Sequence, residues 1–184
     1  MSSTERVVVT GGSGFVGGRM MKYLALHGVE AFGWTRQLGD LRDLDTVKRY
    51  LAEFKPTRIL HLAARPVGAD SDQWGVVADE QRMLTNLAIT MPLHCQLIYS
   101  GTMAEYGRSG YFDELDWCAP DTAYGCAKYS CSTLALAMRS MRSLDIRVAR
   151  LFGVFGPGEH AQRLLPSVIA RLLRGEEIRL SDGL

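Results

Sequence analysis

The sequence predicts an α/β fold, a doubly wound parallel sheet with helices on both faces. Three observations carry that expectation. Short apolar, β-branched runs alternate with helix-like segments of about 10–20 residues, the order that builds βαβ units and a parallel sheet. The first such run passes into the first helical segment through a glycine-rich turn. The 184 residues are 47% hydrophobic and 22% charged. That is enough apolar material to bury a core without disulfides or metals, and too much for a disordered chain.

Each element follows in order. Val7, Val8 and Val9 begin a strand over residues 7–10. Residues 14–27 have helical spacing, with Phe15, Val16, Met20, Leu24 and Ala25 on one side and Gly28 at the usual stop. Residues 29–34 read as the second strand. Residues 43–54 form an amphipathic helix with Leu44, Val47, Tyr50 and Leu51 on one face, stopped by Pro56. A third strand covers 58–62, a helix 73–89 before Pro92, and a fourth strand 96–100. A helix over 122–140 and a fifth strand over 146–151 follow, then a helix over 161–174 and a strand over 177–180. Glycine and proline cluster at 153–159, so a domain boundary is expected there, with 1–152 as one domain and 153–184 as a partial second one. The second stretch is too short for a core of its own.

Composition excludes several partners. A net charge of +1 leaves no electrostatic footprint for nucleic acid or a membrane surface. No apolar run approaches the roughly 18 residues that span a bilayer. The N-terminus lacks the basic-then-apolar layout of a signal peptide, so a cytoplasmic protein is expected. Cys95, Cys118, Cys126 and Cys131 include no Cys-x-x-Cys pair and no zinc spacing, so they read as reduced, packed thiols with no metal site. Trp34, Trp74, Trp117, Met138 and Met141 read as packing, and Arg139, Arg142 and Arg147 as a solvated face.

The turn after the first strand reads Thr10-Gly11-Gly12-Ser13-Gly14-Phe15-Val16-Gly17. Gly11 allows the tight turn, Gly14 lets backbone approach a pyrophosphate, and Gly17 lets helix pack on strand. The helix N-terminus offers free N–H groups and a positive dipole end to that anion. Tyr124 and Lys128 are four apart, so a helix stacks them one turn apart on one face. A tyrosine with a pKa near 10 is a poor base at neutral pH. A nearby ammonium favours the phenolate and brings the group toward the range that acid/base catalysis needs.

These segments, with His61-Leu62-Ala63-Ala64, Tyr99-Ser100-Gly101-Thr102, Glu105-Tyr106-Gly107, Tyr124-Gly125-Cys126-Ala127-Lys128 and Arg150-Leu151-Phe152-Gly153-Val154-Phe155-Gly156-Pro157-Gly158, stand in one order along nearly the whole chain. In that order the sequence resembles the extended short-chain dehydrogenase/reductase family, and within it the NAD-dependent epimerase/dehydratase group that acts on nucleotide sugars. The resemblance implies a Rossmann-type dinucleotide domain followed by the start of a truncated C-terminal substrate lobe. It implies NAD or NADP on Gly11, Ser13, Gly14, Phe15, Val16, Gly17, Leu62, Ala63 and Ala64, with Tyr124 and Lys128 also touching the cofactor. It makes Tyr124 the acid/base, Lys128 the ribose-binding residue that lowers the tyrosine's pKa, and Thr102, or alternatively Ser100, the group that holds the substrate oxygen. A nucleotide-sugar substrate and pairing into homodimers near the Tyr-Lys segment follow from the same likeness.

Four departures shape the expectation. Sugar-nucleotide 4,6-dehydratases of the family carry Asp-Glu after the threonine, whereas this chain has Met103-Ala104, with Glu105 one place too far along. An NAD-type acidic residue at the end of the second strand is replaced by Thr35, followed by Arg36, which favours NADP. Asp40-Leu41 resembles the family's adenine-contacting pair, and Asp43 is a second candidate. The family's asparagine on the helix before the fourth strand matches Asp79 by distance, with Asn86 nearby. Gly153 stands where the family often has a substrate-contacting asparagine. The expected activity is therefore a nucleotide-sugar epimerase or a 4-keto-sugar reductase. The other readings are a non-catalytic dinucleotide-binding or sensing module and a reductase of a non-sugar carbonyl. Two further residues stand near the expected cofactor groove: His61, read as a packed, hydrogen-bonded imidazole, and Arg65, beside the cofactor phosphates or substrate, or in solvent.

Overall fold

A computed structural model of the chain describes residues 5–65 and 73–178. Its five strands are β1 (Arg6–Thr10), β2 (Glu30–Trp34), β3 (Arg58–His61), β4 (Gln96–Thr102) and β5 (Ile146–Leu151). All pair in parallel, in the order β2-β1-β3-β4-β5. The helices are α1 (Phe15–Leu26), α2 (Leu44–Phe54), α3 (Gln73–Thr90), α4 (Ala123–Arg142) and α5 (Leu164–Leu173), with a 3₁₀ turn over Met103–Glu105. The doubly wound α/β expectation holds.

Alternation along the strands sorts the core onto two faces. Val8, Ile59, Leu97, Tyr99 and Ile146 pack under α2, α3 and α4, against Val47, Leu51, Leu84, Leu87, Cys131 and Ala135. Val7 and Val9 point the other way and pack with Leu24, Met20 and Met21 of α1. Local chemistry places the helix ends. Asp43 caps α2 by accepting from the Asp45 N–H at 3.2 Å, and the chain leaves α2 through Lys55 in the left-handed region before Pro56. Thr122 caps α4 by accepting from the Gly125 N–H at 3.0 Å. Arg139 and Arg142 sit in the last turn of α4, where cations favour the carbonyl end.

Several expectations shift. β4 runs on through Gly101 and Thr102. α4 reaches Arg142, and α5 is shorter than residues 161–174. Residues 177 and 178 form no strand, and the rest of that expected strand lies outside the described residues. Trp74 and Trp117 are 74% and 78% exposed, so of the three tryptophans only Trp34 is core. Met138 packs on the core while Met141, in the last turn of α4, is exposed. The four cysteines are free. The chain divides into two compact units, Met1–Phe152 and Gly153–Leu184. The first holds the whole sheet and α1–α4, and the second holds α5.

Candidate functional site

The strand order reverses at β1, with β2 on one side and β3 on the other, which makes the carboxyl ends of β1 and β3 the switch point of the sheet. Two loops meet there. Gly11 has φ +69, and a Cβ on it would lie 2.9 Å from the Ala63 nitrogen. A Cβ on Gly17 would lie 2.1 Å from the Gly11 carbonyl oxygen, so α1 approaches the turn more closely than any side chain permits. Gly14 donates its N–H to the Gly11 carbonyl at 2.9 Å and begins α1 with no side-chain cap. The N–H groups of Phe15, Val16 and Gly17 therefore form an uncapped first turn, with Ser13 and Gly14 exposed beside it and no acidic side chain in that turn. This cradle fits a pyrophosphate. Gly12, given no task by its place in the motif, is tight for another reason: its Cβ would lie 2.8 Å from the Gly33 Cα of β2.

Beneath the turn, the Thr10 hydroxyl accepts from the backbone N–H groups of Leu62 and Ala63, both at 3.1 Å. Its own proton then goes to Nδ1 of His61, 2.7 Å away, which leaves His61 neutral with its proton on Nε2. Burial, assisted by the charge of Lys128, holds the imidazole pKa down at about 3. The His61 carbonyl accepts from Ser100 at 2.9 Å, so Ser100, the alternative to Thr102, is engaged within the sheet.

At the end of β2, Thr35 is half-buried and Arg36 exposed. Asp40 is bound by Arg42, whose Nε lies 3.0 Å from each carboxylate oxygen, and this holds the Asp40 carboxyl below its ordinary range. Arg42 reaches on to Asp79 at 2.9 Å, and Asp79 accepts from Arg65 at 2.5 Å. Asn86 is buried and donates to the Leu41 carbonyl at 2.9 Å. Asp79 and Asn86 thus tie the segments after β2 and β3 to α3, and neither is the α3 residue that meets Lys128.

That residue is Glu80. Its Oε2 lies 3.6 Å from the Lys128 Nζ, with the two side chains 2% and 3% exposed, and its Oε1 accepts the Arg65 backbone N–H at 2.5 Å. The ammonium also sits 4.7 Å from the centre of the Tyr99 ring. Burial pushes the Glu80 carboxyl up, and the charge of Lys128 opposes that shift. Tyr124, one turn earlier on α4, is exposed. At the end of β4, Thr102 opens the 3₁₀ turn, where its Oγ1 accepts from the Ala104 N–H at 3.3 Å. Glu105 closes this capping box by accepting the Thr102 N–H at 2.9 Å, and its other oxygen takes Arg150 Nε at 2.9 Å. Glu105 is wholly buried.

Glu80 carries no signal in the sequence, being one of two adjacent acids on a helix, and Arg42 reads as an ordinary surface residue. Only the packing of α3 against α4 shows what Glu80 faces, and only the approach of the segment before α2 to α3 shows what Arg42 faces. Among the described residues no cluster of His, Cys, Asp and Glu could hold a metal, and no helix is long and apolar enough to cross a membrane.

The model of the NAD dependent epimerase/dehydratase family matches residues 7–184. A dTDP-glucose 4,6-dehydratase from Bacillus anthracis, solved with NAD, superposes with a TM-score of 0.83 at 20% identity over 98% of this chain and 65% of its own. A UDP-glucose 4-epimerase from Thermus thermophilus, solved with NAD, gives 0.78 at 24% identity over 94% and 64%. RMD from Pseudomonas aeruginosa, solved with NADPH, gives 0.77 at 24% over 94% and 63%. The chain spans 47% to 66% of the length of the curated relatives it matches.

Proposed function

The chain belongs to the NAD-dependent epimerase/dehydratase family, and from that premise we propose that it is the dinucleotide-binding part of a nucleotide-sugar epimerase or 4-keto-sugar reductase. The observation that carries the proposal is one juxtaposition. Tyr124 and Lys128 share a face of α4, Thr102 ends β4, and the glycine cradle opens at the switch point of the same sheet.

In this reading Gly11, Ser13, Gly14, Phe15, Val16 and Gly17 hold the pyrophosphate of NAD(P), Leu62, Ala63 and Ala64 line its path, and Lys128 holds the nicotinamide ribose. The bound nicotinamide supplies hydride acceptance or donation at a sugar carbon. Tyr124 takes the proton of the substrate hydroxyl in the oxidising direction and returns it in the reducing one. Thr102 holds that oxygen through its Oγ1. The charge of Lys128 favours the Tyr124 phenolate. The unit from Gly153 onward begins the substrate lobe.

Two observations narrow the cofactor and the reaction. The position after β2 carries Thr35 and the exposed Arg36 in place of a carboxylate, and the nearby Asp40 has its charge matched by Arg42. No carboxylate stands at the end of β2 to repel a 2′-phosphate and Arg36 can pair with one, which supports NADP. Met103 and Ala104 carry no acid or base, and Glu105 is turned inward onto Arg150 and the Thr102 N–H. Among the described residues of that turn no carboxylate is therefore left free for the elimination of water, which favours epimerase or reductase over dehydratase.

Replacing Tyr124 by Phe in the protein that carries this chain tests the proposal. Turnover should fall about 100- to 10,000-fold while the dissociation constant for the dinucleotide stays unchanged. Undiminished turnover would overturn the catalytic role and leave a binding module.

A further inference from the structure

Lys128 is a cation in a nearly dry place, and such a group stays charged only beside a counter-charge. The groups around its Nζ are Glu80 from α3, the Tyr99 ring from β4, the neutral His61 from β3 and Cys131 from α4 itself, and Tyr124 stands one helical turn before Lys128. Of these only Glu80 is a carboxylate, and its Oε2 has no hydrogen-bond partner and faces the ammonium at 3.6 Å. Its neighbour Asp79 is taken up by Arg42 and Arg65. The other oxygen of Glu80 is fastened to the Arg65 N–H, in the loop that follows β3 and carries Ala63 and Ala64. One buried carboxylate thus joins the floor of the cofactor groove to the lysine of α4.

We propose that Glu80 is a positioning residue that holds Lys128 in its charged form and so maintains the field that acidifies Tyr124. This inference rests on the function proposed above, because it assumes that Lys128 acts on Tyr124. Glu80 does not touch the reacting atoms and works only through the lysine. With the carboxylate gone, the ammonium loses its counter-charge and gives up its proton, and Tyr124 is left beside a neutral amine. Tyr124 should then ionise at a higher pH.

The test needs no substrate. Phenolate absorbance is titrated with pH, and the contribution of Tyr124 is isolated as the difference from a Tyr124→Phe partner in each background. Glu80→Gln keeps the shape and can still accept from Arg65, and it should raise the Tyr124 midpoint by about one to three pH units. Lys128→Met should raise it similarly, and the Glu80→Gln/Lys128→Met double variant should add nothing further. If Lys128→Met raises the midpoint and Glu80→Gln leaves it in place or lowers it, the role of Glu80 is overturned and the Tyr–Lys reading stands. If Lys128→Met itself moves nothing, the Tyr–Lys coupling fails and the role of Glu80 fails with it. Should Glu80→Gln not fold, the double variant, which removes both buried charges, should recover the melting temperature. A double variant that stays unfolded would overturn the pairing.

Discussion

The His61 side chain shows how one hydroxyl can determine the state of a buried base. Thr10 spends its two acceptor sites on the N–H groups of Leu62 and Ala63, so its proton is left for His61 Nδ1. The imidazole is neutral, buried and held at a pKa of about 3, against about 6.5 in an unfolded chain. Between those values the unfolded state holds a proton that the folded state refuses, so folding stability falls as the pH drops through that window. Relative to a His61→Gln variant, the wild type should lose about 1.4 kcal/mol per pH unit between about pH 6 and 4. Urea unfolding of both proteins across that range measures it, and parallel stability curves would contradict it. The sequence already suggested a packed, hydrogen-bonded imidazole, because a histidine ending an apolar strand seldom faces water. Glu80 was not legible in the same way. Its significance comes from packing across two helices, and sequence spacing points to its neighbour Asp79 instead.

The turn between β1 and α1 was the most legible element, since its glycines recur at spacings that only backbone geometry demands. A Cβ on Gly17 would collide with the Gly11 carbonyl, so Gly17→Ala must push α1 away from the turn or open the cradle. The variant should lose about 1–3 kcal/mol of stability and bind dinucleotide more weakly. Thermal melting and a binding titration check it, and a variant with unchanged melting temperature and affinity would refute the proposed packing. Gly12 escaped notice because its neighbour, Gly33, belongs to another strand. The end of β4 was misjudged for a related reason. The strand continues through Gly101 and Thr102 because they pair with Arg150 and Leu151 of β5, and position 101 is glycine because a Cβ there would meet Glu105 Oε1 at 2.4 Å. The sequence reading ended α4 two residues early and began α5 three residues early, and the ends of helices are where periodicity is weakest.

For the molecule as a whole, alternation of strands and helices was enough to predict a parallel doubly wound sheet, while the strand order β2-β1-β3-β4-β5 was not. Order depends on pairing between segments far apart in sequence, such as β1 with β3, and composition carries no trace of it. That order brings the glycine turn, the Leu62–Ala64 loop, Thr102, Tyr124 and Lys128 to the carboxyl edge of one sheet. If that edge is a dinucleotide site with Thr35 and Arg36, not a carboxylate, at the end of β2, the chain should bind cofactor and prefer the phosphorylated form. Calorimetric titration of the protein with NADPH and NADH in parallel tests this. One equivalent of NADPH should bind more tightly than NADH. Tighter binding of NADH would contradict the assignment of Thr35 and Arg36, and binding of neither would contradict the dinucleotide site itself.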